Sequence, residues 1–131
     1  MMYNKMVQSC FFSPKHVGVL DVNDRLVVGV TNHQVGQGAI EFFMQCQRDM
    51  SISRVCFKTN GNPYLVAGLE WLSRQLEGQS IETIPQIDYQ VLIKELDIPV
   101  TQYPLALRIL VVFKEIVILM KSKLGSEVQH S

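Results

Sequence analysis

The stretch Phe57-Lys58-Thr59-Asn60-Gly61-Asn62-Pro63 closes a strand-like run and opens a helix-like one, at a corner where a reactive side chain is often displayed. The residue on display is Asn62. Asparagine is a good helix N-cap and proline a favoured first helical residue, so the corner reads as a helix start. The side chains that bind metal or attack carbon are scattered. Cys10, Cys46 and Cys56 have no close spacing. Cys46 follows an inward alternation and Cys56 an outward one, so a shared metal site would need them to meet across a sheet. Cys10 falls on the apolar side of a helix, where a thiol packs as a small hydrophobe. His33 stands without a spaced partner, His16 lies in a turn and His130 in the tail. Asp21 and Asp24 lack the glycine and distal glutamate of a calcium loop. Ser73 and Ser80 have no evident histidine and acid companions. Gly-x-Ser-x-Gly, His-Glu-x-x-His and a Gly-rich phosphate loop are all missing from the sequence. No enzyme chemistry is expected.

Composition narrows the classes further. The 131 residues suit one domain with a real core. Twelve basic residues balance twelve acidic ones, so no net field draws the chain to nucleic acid or to an anionic membrane. The opening MMYNKMVQSC lacks the pattern of a signal peptide. The most apolar segment, Leu105 to Met120, is interrupted by Arg108, Lys114 and Glu115 and falls short of the ~20 residues of a bilayer span. An odd number of spread cysteines fits a reducing compartment. The expectation is a cytoplasmic protein.

The elements that position these residues follow from periodicity. Tyr3, Met6, Val7, Cys10 and Phe11 have helical spacing, ended by Ser13-Pro14-Lys15-His16-Val17-Gly18. Leu26 to Val30 reads as a strand that gives way to a loop, TNHQVGQG. Ile40, Phe42, Met44 and Cys46 alternate with polar residues, and Ile52 to Thr59 forms a third strand behind a short QRDMS connection. The period then turns helical. Leu65, Val66, Leu69, Leu72 and Leu76 share one face, with Gly78 at the C′ position. Asp88 caps a helix that buries Val91, Leu92 and Leu96 and is stopped by Pro99. A last helix runs from about Pro104 to Leu124, with Gly125 beyond it. Strands segregated from helices predict an α+β domain, a three-stranded antiparallel sheet with helices on one face. Residues 1–125 form the domain, and 126–131 are expected to be a flexible tail.

This series resembles the iron–sulfur scaffold proteins of the IscU type, equivalently the N-terminal domain of NifU. The likeness is carried by Ser13 to Gly18, similar to the family's NPRNVG turn, and by Phe57-Lys58-Thr59-Asn60-Gly61, similar to FKTxG. Gly78 and Ser80 fall at GKS, Glu95 to Val100 at ELxLPP, and Lys121-Ser122-Lys123 at the end of the last helix. The resemblance implies a nascent cluster held on three cysteines, with an aspartate and often a histidine. Matched residue by residue, the first cysteine falls at Gly36 and the aspartate at Gly38. The second cysteine falls at Asn62, and the histidine–cysteine pair at Pro104 and Leu105. None of these offers an anionic ligand, and a neutral amide is a poor one for iron–sulfide, which thiolate suits.

The last helix is unusually apolar. Arg108 and Glu115 share one line of it, Lys114 and Lys121 another. Ala106, Ile109, Leu110, Phe113, Val117 and Met120 fill an inward face. Leu105, Val112, Ile116 and Leu119 form a second ridge, either covered core or a surface for a partner or for self-association. Ile98-Pro99-Val100-Thr101-Gln102 resembles the family's LPPVK segment, through which a specialised chaperone is bound, without its second proline and lysine.

Two readings stand. In the first, the chain is an IscU-like protein without a cluster site, acting as a noncatalytic binding or regulatory module. It needs no cofactor, and its partner is a protein: a cysteine desulfurase, a cluster scaffold or itself. Ile98, Pro99, Leu105, Val112, Ile116 and Leu119 are the candidate contact residues. In the second, it remains an assembly component holding iron or a labile cluster on unusual ligands such as His33 and Cys56, or across an oligomer.

Overall fold

The computed structural model describes residues 3–129. Helix α1 (Lys5–Phe12) precedes strands β1 (Val27–Gln34), β2 (Gly38–Cys46) and β3 (Ile52–Thr59). Helices α2 (Pro63–Leu76), α3 (Tyr89–Leu96) and α4 (Tyr103–Gln129) follow, with a 3₁₀ turn at Val100–Gln102. The sheet is antiparallel in the order β1-β2-β3. The expected α+β architecture is therefore the one found.

Alternation sorts the side chains. Val28 and Val30 on β1, Ile40, Phe42, Met44 and Cys46 on β2, and Val55 and Phe57 on β3 join the helices in one core. On the far face Leu20, Val27 and Phe43 make a smaller cluster against which Cys56 packs. Cys46 and Cys56 thus occupy opposite faces, as their alternation predicts.

Two boundaries differ from expectation. β1 does not end at Val30 but runs to Gln34, because Asn32, His33 and Gln34 pair with Ile40, Ala39 and Gly38. Backbone pairing sustains this polar end of the hairpin where no apolar alternation marks it. His33 accordingly sits on a strand, exposed, and the loop shrinks to residues 35–37. At the other end, Gly125 does not stop the last helix. A helical glycine costs only about 1 kcal/mol relative to alanine, and tertiary contacts offset that. Leu124 is buried, Lys123 Nζ donates to the Val27 carbonyl at 2.9 Å, and Arg25 pairs with Glu127 at 3.5 Å. α4 therefore reaches Gln129. Of the expected tail, His130 and Ser131 lie outside the described residues.

The candidate site at the β1–β2 turn and the start of α2

Three elements meet at this corner: the β1–β2 turn, the β3–α2 junction and the first turns of α4. Asn62 caps α2 through its Oδ1, which accepts from Leu65 N at 3.1 Å, with Pro63 in the first helical turn. Its Nδ2 donates to Gln102 Oε1 at 2.8 Å, tying the helix start to the 3₁₀ turn. Both polar ends of the amide are thereby engaged in holding structure.

The β1–β2 turn is pinned to the same junction. Asn60 Oδ1 accepts from Ala39 N at 2.8 Å, and Thr59 Oγ1 donates to the Ala39 carbonyl at 2.6 Å. Gly36 and Gly38 have φ of 77° and 83°, left-handed conformations that disfavour a side chain. A Cβ on Gly38 would lie 2.9 Å from Gly61 Cα and 3.1 Å from Gly61 N. The family's aspartate position is closed by a glycine–glycine backbone contact. Gly36, at the exposed tip, has open space around it.

Arg108 completes the corner. It is 6% exposed, one turn into α4 from Leu105, and its guanidinium reaches across to the β1–β2 turn. Nε donates to Asn32 Oδ1 at 3.0 Å and Nη1 to the Gln37 carbonyl at 2.8 Å. Nη2 donates to the carbonyls of Asn32 at 3.1 Å and Gly38 at 2.8 Å. Burial pulls its pKa below the ordinary arginine value, yet guanidinium remains a cation under any ordinary condition. What is left open is a shallow polar depression of 170 Å³ lined by Gly36, Gln37, Gly38, Asn60, Gly61 and Asn62.

The five positions matched to the family's ligands are thus brought to one region, and none supplies an anion. Gly36 and Gly38 have no side chain, Asn62 is committed to its cap, Pro104 is exposed and Leu105 is buried. This donor set does not fit a thiolate-held cluster. The substitute ligands do not converge either. His33 stands opposite Ala39 and Cys56 opposite Phe43, four positions apart along β2 or about 13 Å. Among the described residues no three His, Cys, Asp or Glu side chains are grouped to hold a metal ion.

The proposed contact residues need correction. Val112 and Ile116 are fully buried, and Leu105 and Ile98 nearly so. Three of the four residues of the expected ridge are therefore core, because α4 packs against both the sheet and the neighbouring helices. Leu119 is exposed, and Pro99 is half-buried beside an exposed Val100. Among the described residues, the large apolar side chains that α4 presents to solvent are Leu107, Val111, Ile118 and Leu119.

The sequence reading missed Arg108 as a site residue, since it shared a line with exposed Glu115. A signal was present: Arg108 lies three residues after Leu105 and four before Val112, within the buried line. It missed Glu70 as well. Glu70 is fully buried in α2, where its Oε1 accepts from the backbone N–H of Lys15 at 2.9 Å and of His16 at 3.0 Å. Its Oε2 contacts His16 Nδ1 at 2.8 Å and Arg74 Nε at 2.9 Å, while His16 Nε2 lies 3.2 Å from Glu77 Oε1.

Residues 2–116 match the model of the NifU-like N-terminal domain family, and the chain belongs to that family. It is 29% identical over 103 residues to the iron–sulfur cluster assembly scaffold protein IscU of Buchnera aphidicola (subspecies Acyrthosiphon pisum), covering 76% of this chain and 79% of that protein. The crystal structure of the N-terminal part of a nitrogen-fixing NifU-like protein from Brucella abortus superposes with a TM-score of 0.64. That match covers 94% of each chain at 11% identity, a likeness of fold.

Proposed function

We propose that this chain is a member of the iron–sulfur assembly family that has given up holding the cluster and acts as a noncatalytic protein-binding module. The observation that carries this reading is Arg108. A fixed cation, satisfied by four short hydrogen bonds, fills the space between α4 and the β1–β2 turn where the ligand positions gather. Thiolates and sulfide are stabilised by cations, but here no thiolate is present for the cation to stabilise. Gly38 against Gly61 and Asn62 within its cap support the same reading, since each has been built into the resting structure. The absence from the sequence of any recognisable nucleophile–base motif favours a role without catalysis. A protein partner drawn from assembly, such as a cysteine desulfurase or a cluster-bearing scaffold, suits the family; no helix among the described residues is long and apolar enough to cross a membrane.

The test is iron and acid-labile sulfide per chain after anaerobic incubation with iron, cysteine and a desulfurase, with a three-cysteine scaffold as control. Both are expected to stay at background. Iron and sulfide in fixed proportion, lost in Cys56→Ser or His33→Ala, would establish the alternative of unusual ligands and overturn this one.

A further inference from the structure

The outward face of α4 carries a pattern that matches itself. Val111 and Ile118 are seven residues apart, so at 100° per residue they lie within about 20° of each other on the exposed meridian. They are 43% and 67% exposed. Between them sit Lys114 and Glu115, both exposed and neither in a salt bridge among the described residues. The two charges fall about 50° to either side of the meridian. Lys121 lies on the lysine flank, and exposed Leu119 lies beyond Glu115 on the other. On the lysine flank, Ile84, Phe113, Lys114, Val117 and Ile118 line an apolar depression of 270 Å³.

We propose that this face pairs with the same face of a second copy, with the two α4 helices parallel about a two-fold axis. The charge pattern selects the direction. With parallel helices the lysine flank of one copy meets the glutamate flank of the other, so Lys114 faces Glu115 of the second copy, and the contact occurs twice. Antiparallel helices would set lysine flank against lysine flank, which like charge opposes. In the parallel arrangement Val111 meets Val111 and Ile118 meets Ile118. Leu119 of each copy comes level with the depression beside Val117 of the other, a knob facing a hole. From Val111 to Lys121 the strip is about 15 Å long and about 10 Å wide, well below the roughly 800 Å² per partner of a standard interface. The dimer is therefore weak and concentration-dependent. This deepens the protein-binding reading by naming one partner. The face lies on the opposite side of α4 from the sheet and core, so cluster loading and dimerisation are tested by separate experiments that fail separately.

Sedimentation velocity from about 5 to about 500 μM tests it, since an interface of this size assembles only towards the upper end. The mass is expected to climb from one chain towards two. Lys114→Glu puts glutamate against Glu115 twice and should raise the concentration needed about tenfold or more. The double variant Lys114→Glu/Glu115→Lys should bring it back to within about threefold of the parent. Ile118→Cys alone should form a covalent dimer on mild oxidation, beyond any seen for the parent with its three native cysteines. A monomer throughout the range would overturn the proposal. So would a charge swap that fails to restore association, or cross-linking that requires Ile118→Cys to be mixed with Val111→Cys, the antiparallel outcome.

Discussion

Arg108 on α4 donates through Nη2 to the Gly38 carbonyl at 2.8 Å, joining helix and hairpin 70 residues apart in sequence. The same guanidinium holds three further acceptors on Asn32 and Gln37. Hydrogen bonds to a charged group contribute about 1.5–3 kcal/mol each at best, and the exposed turn regains some of that from water. Arg108→Ala is therefore expected to lower stability by roughly 3 kcal/mol. Arg108→Lys should recover less than half of that loss, because one ammonium cannot span a fork of four acceptors. Urea unfolding midpoints measure both. A lysine variant as stable as the parent would show that charge alone, and not the fork, holds the turn.

The fold was legible because periodicity records burial. Ile40, Phe42 and Met44 alternate and Leu65, Leu69, Leu72 and Leu76 recur at helical spacing, and each of these is buried. The polar half of β1 left no such record, since Asn32 to Gln34 are held by pairing. The site was legible at Asn62, where a cap followed by proline has only one local reading. It was hidden at Arg108 and Glu70, whose burial depends on partners 70 and 54 residues away. Exposure on α4 was misassigned for a related reason: the helix is apolar on nearly every side, so sequence alone did not say which line faces out.

Glu70 anchors the segment after α1 to α2. Its carboxylate accepts four donors while fully buried. Removing one member of a buried charged network leaves the others unpaired, at roughly 3–5 kcal/mol. Glu70→Ala should lose about that much, and Glu70→Gln about half, since the amide keeps one acceptor and turns a donor towards His16 and Arg74. Equilibrium denaturation gives both values. If each variant lies within about 0.5 kcal/mol of the parent, as surface substitutions usually do, the network contributes nothing net.

Cys46 gives a pH dependence of known sign. Burial, and secondarily the Asp49 carboxylate, push its thiol up to about 11. The folded chain therefore keeps this proton after the unfolded chain has released its own. Stability from this group is present below the ordinary thiol pKa and falls as pH rises from about 9 to about 11, by roughly 2–3 kcal/mol in all. Cys46→Ala removes the titration, so the stability gap between parent and variant should shift in the variant's favour across that window. A constant gap would mean that the thiol meets water in the folded state.

Restoring the family's ligands is the most demanding test of how far this corner has been rebuilt. Gly36→Cys should be accepted at a cost of about 1–2 kcal/mol, set by its positive φ of 77° alone, because nothing lies near its Cβ. Gly38→Asp should cost more, since it adds a 2.9 Å approach to Gly61 Cα to a φ of 83°. Asn62→Cys forfeits the cap to Leu65 N and the bond to Gln102, about 1–2 kcal/mol. Leu105→Cys removes buried methyl groups, about 2–3 kcal/mol. The triple variant Gly36→Cys/Asn62→Cys/Leu105→Cys is thus expected to be destabilised and to retain little iron and sulfide while Arg108 occupies the gap. Adding Arg108→Leu frees that space, and iron and sulfide per chain should then rise severalfold over the triple variant. Full loading with Arg108 still in place would show that the guanidinium yields to a cluster and plays no part in the proposed loss of cluster binding.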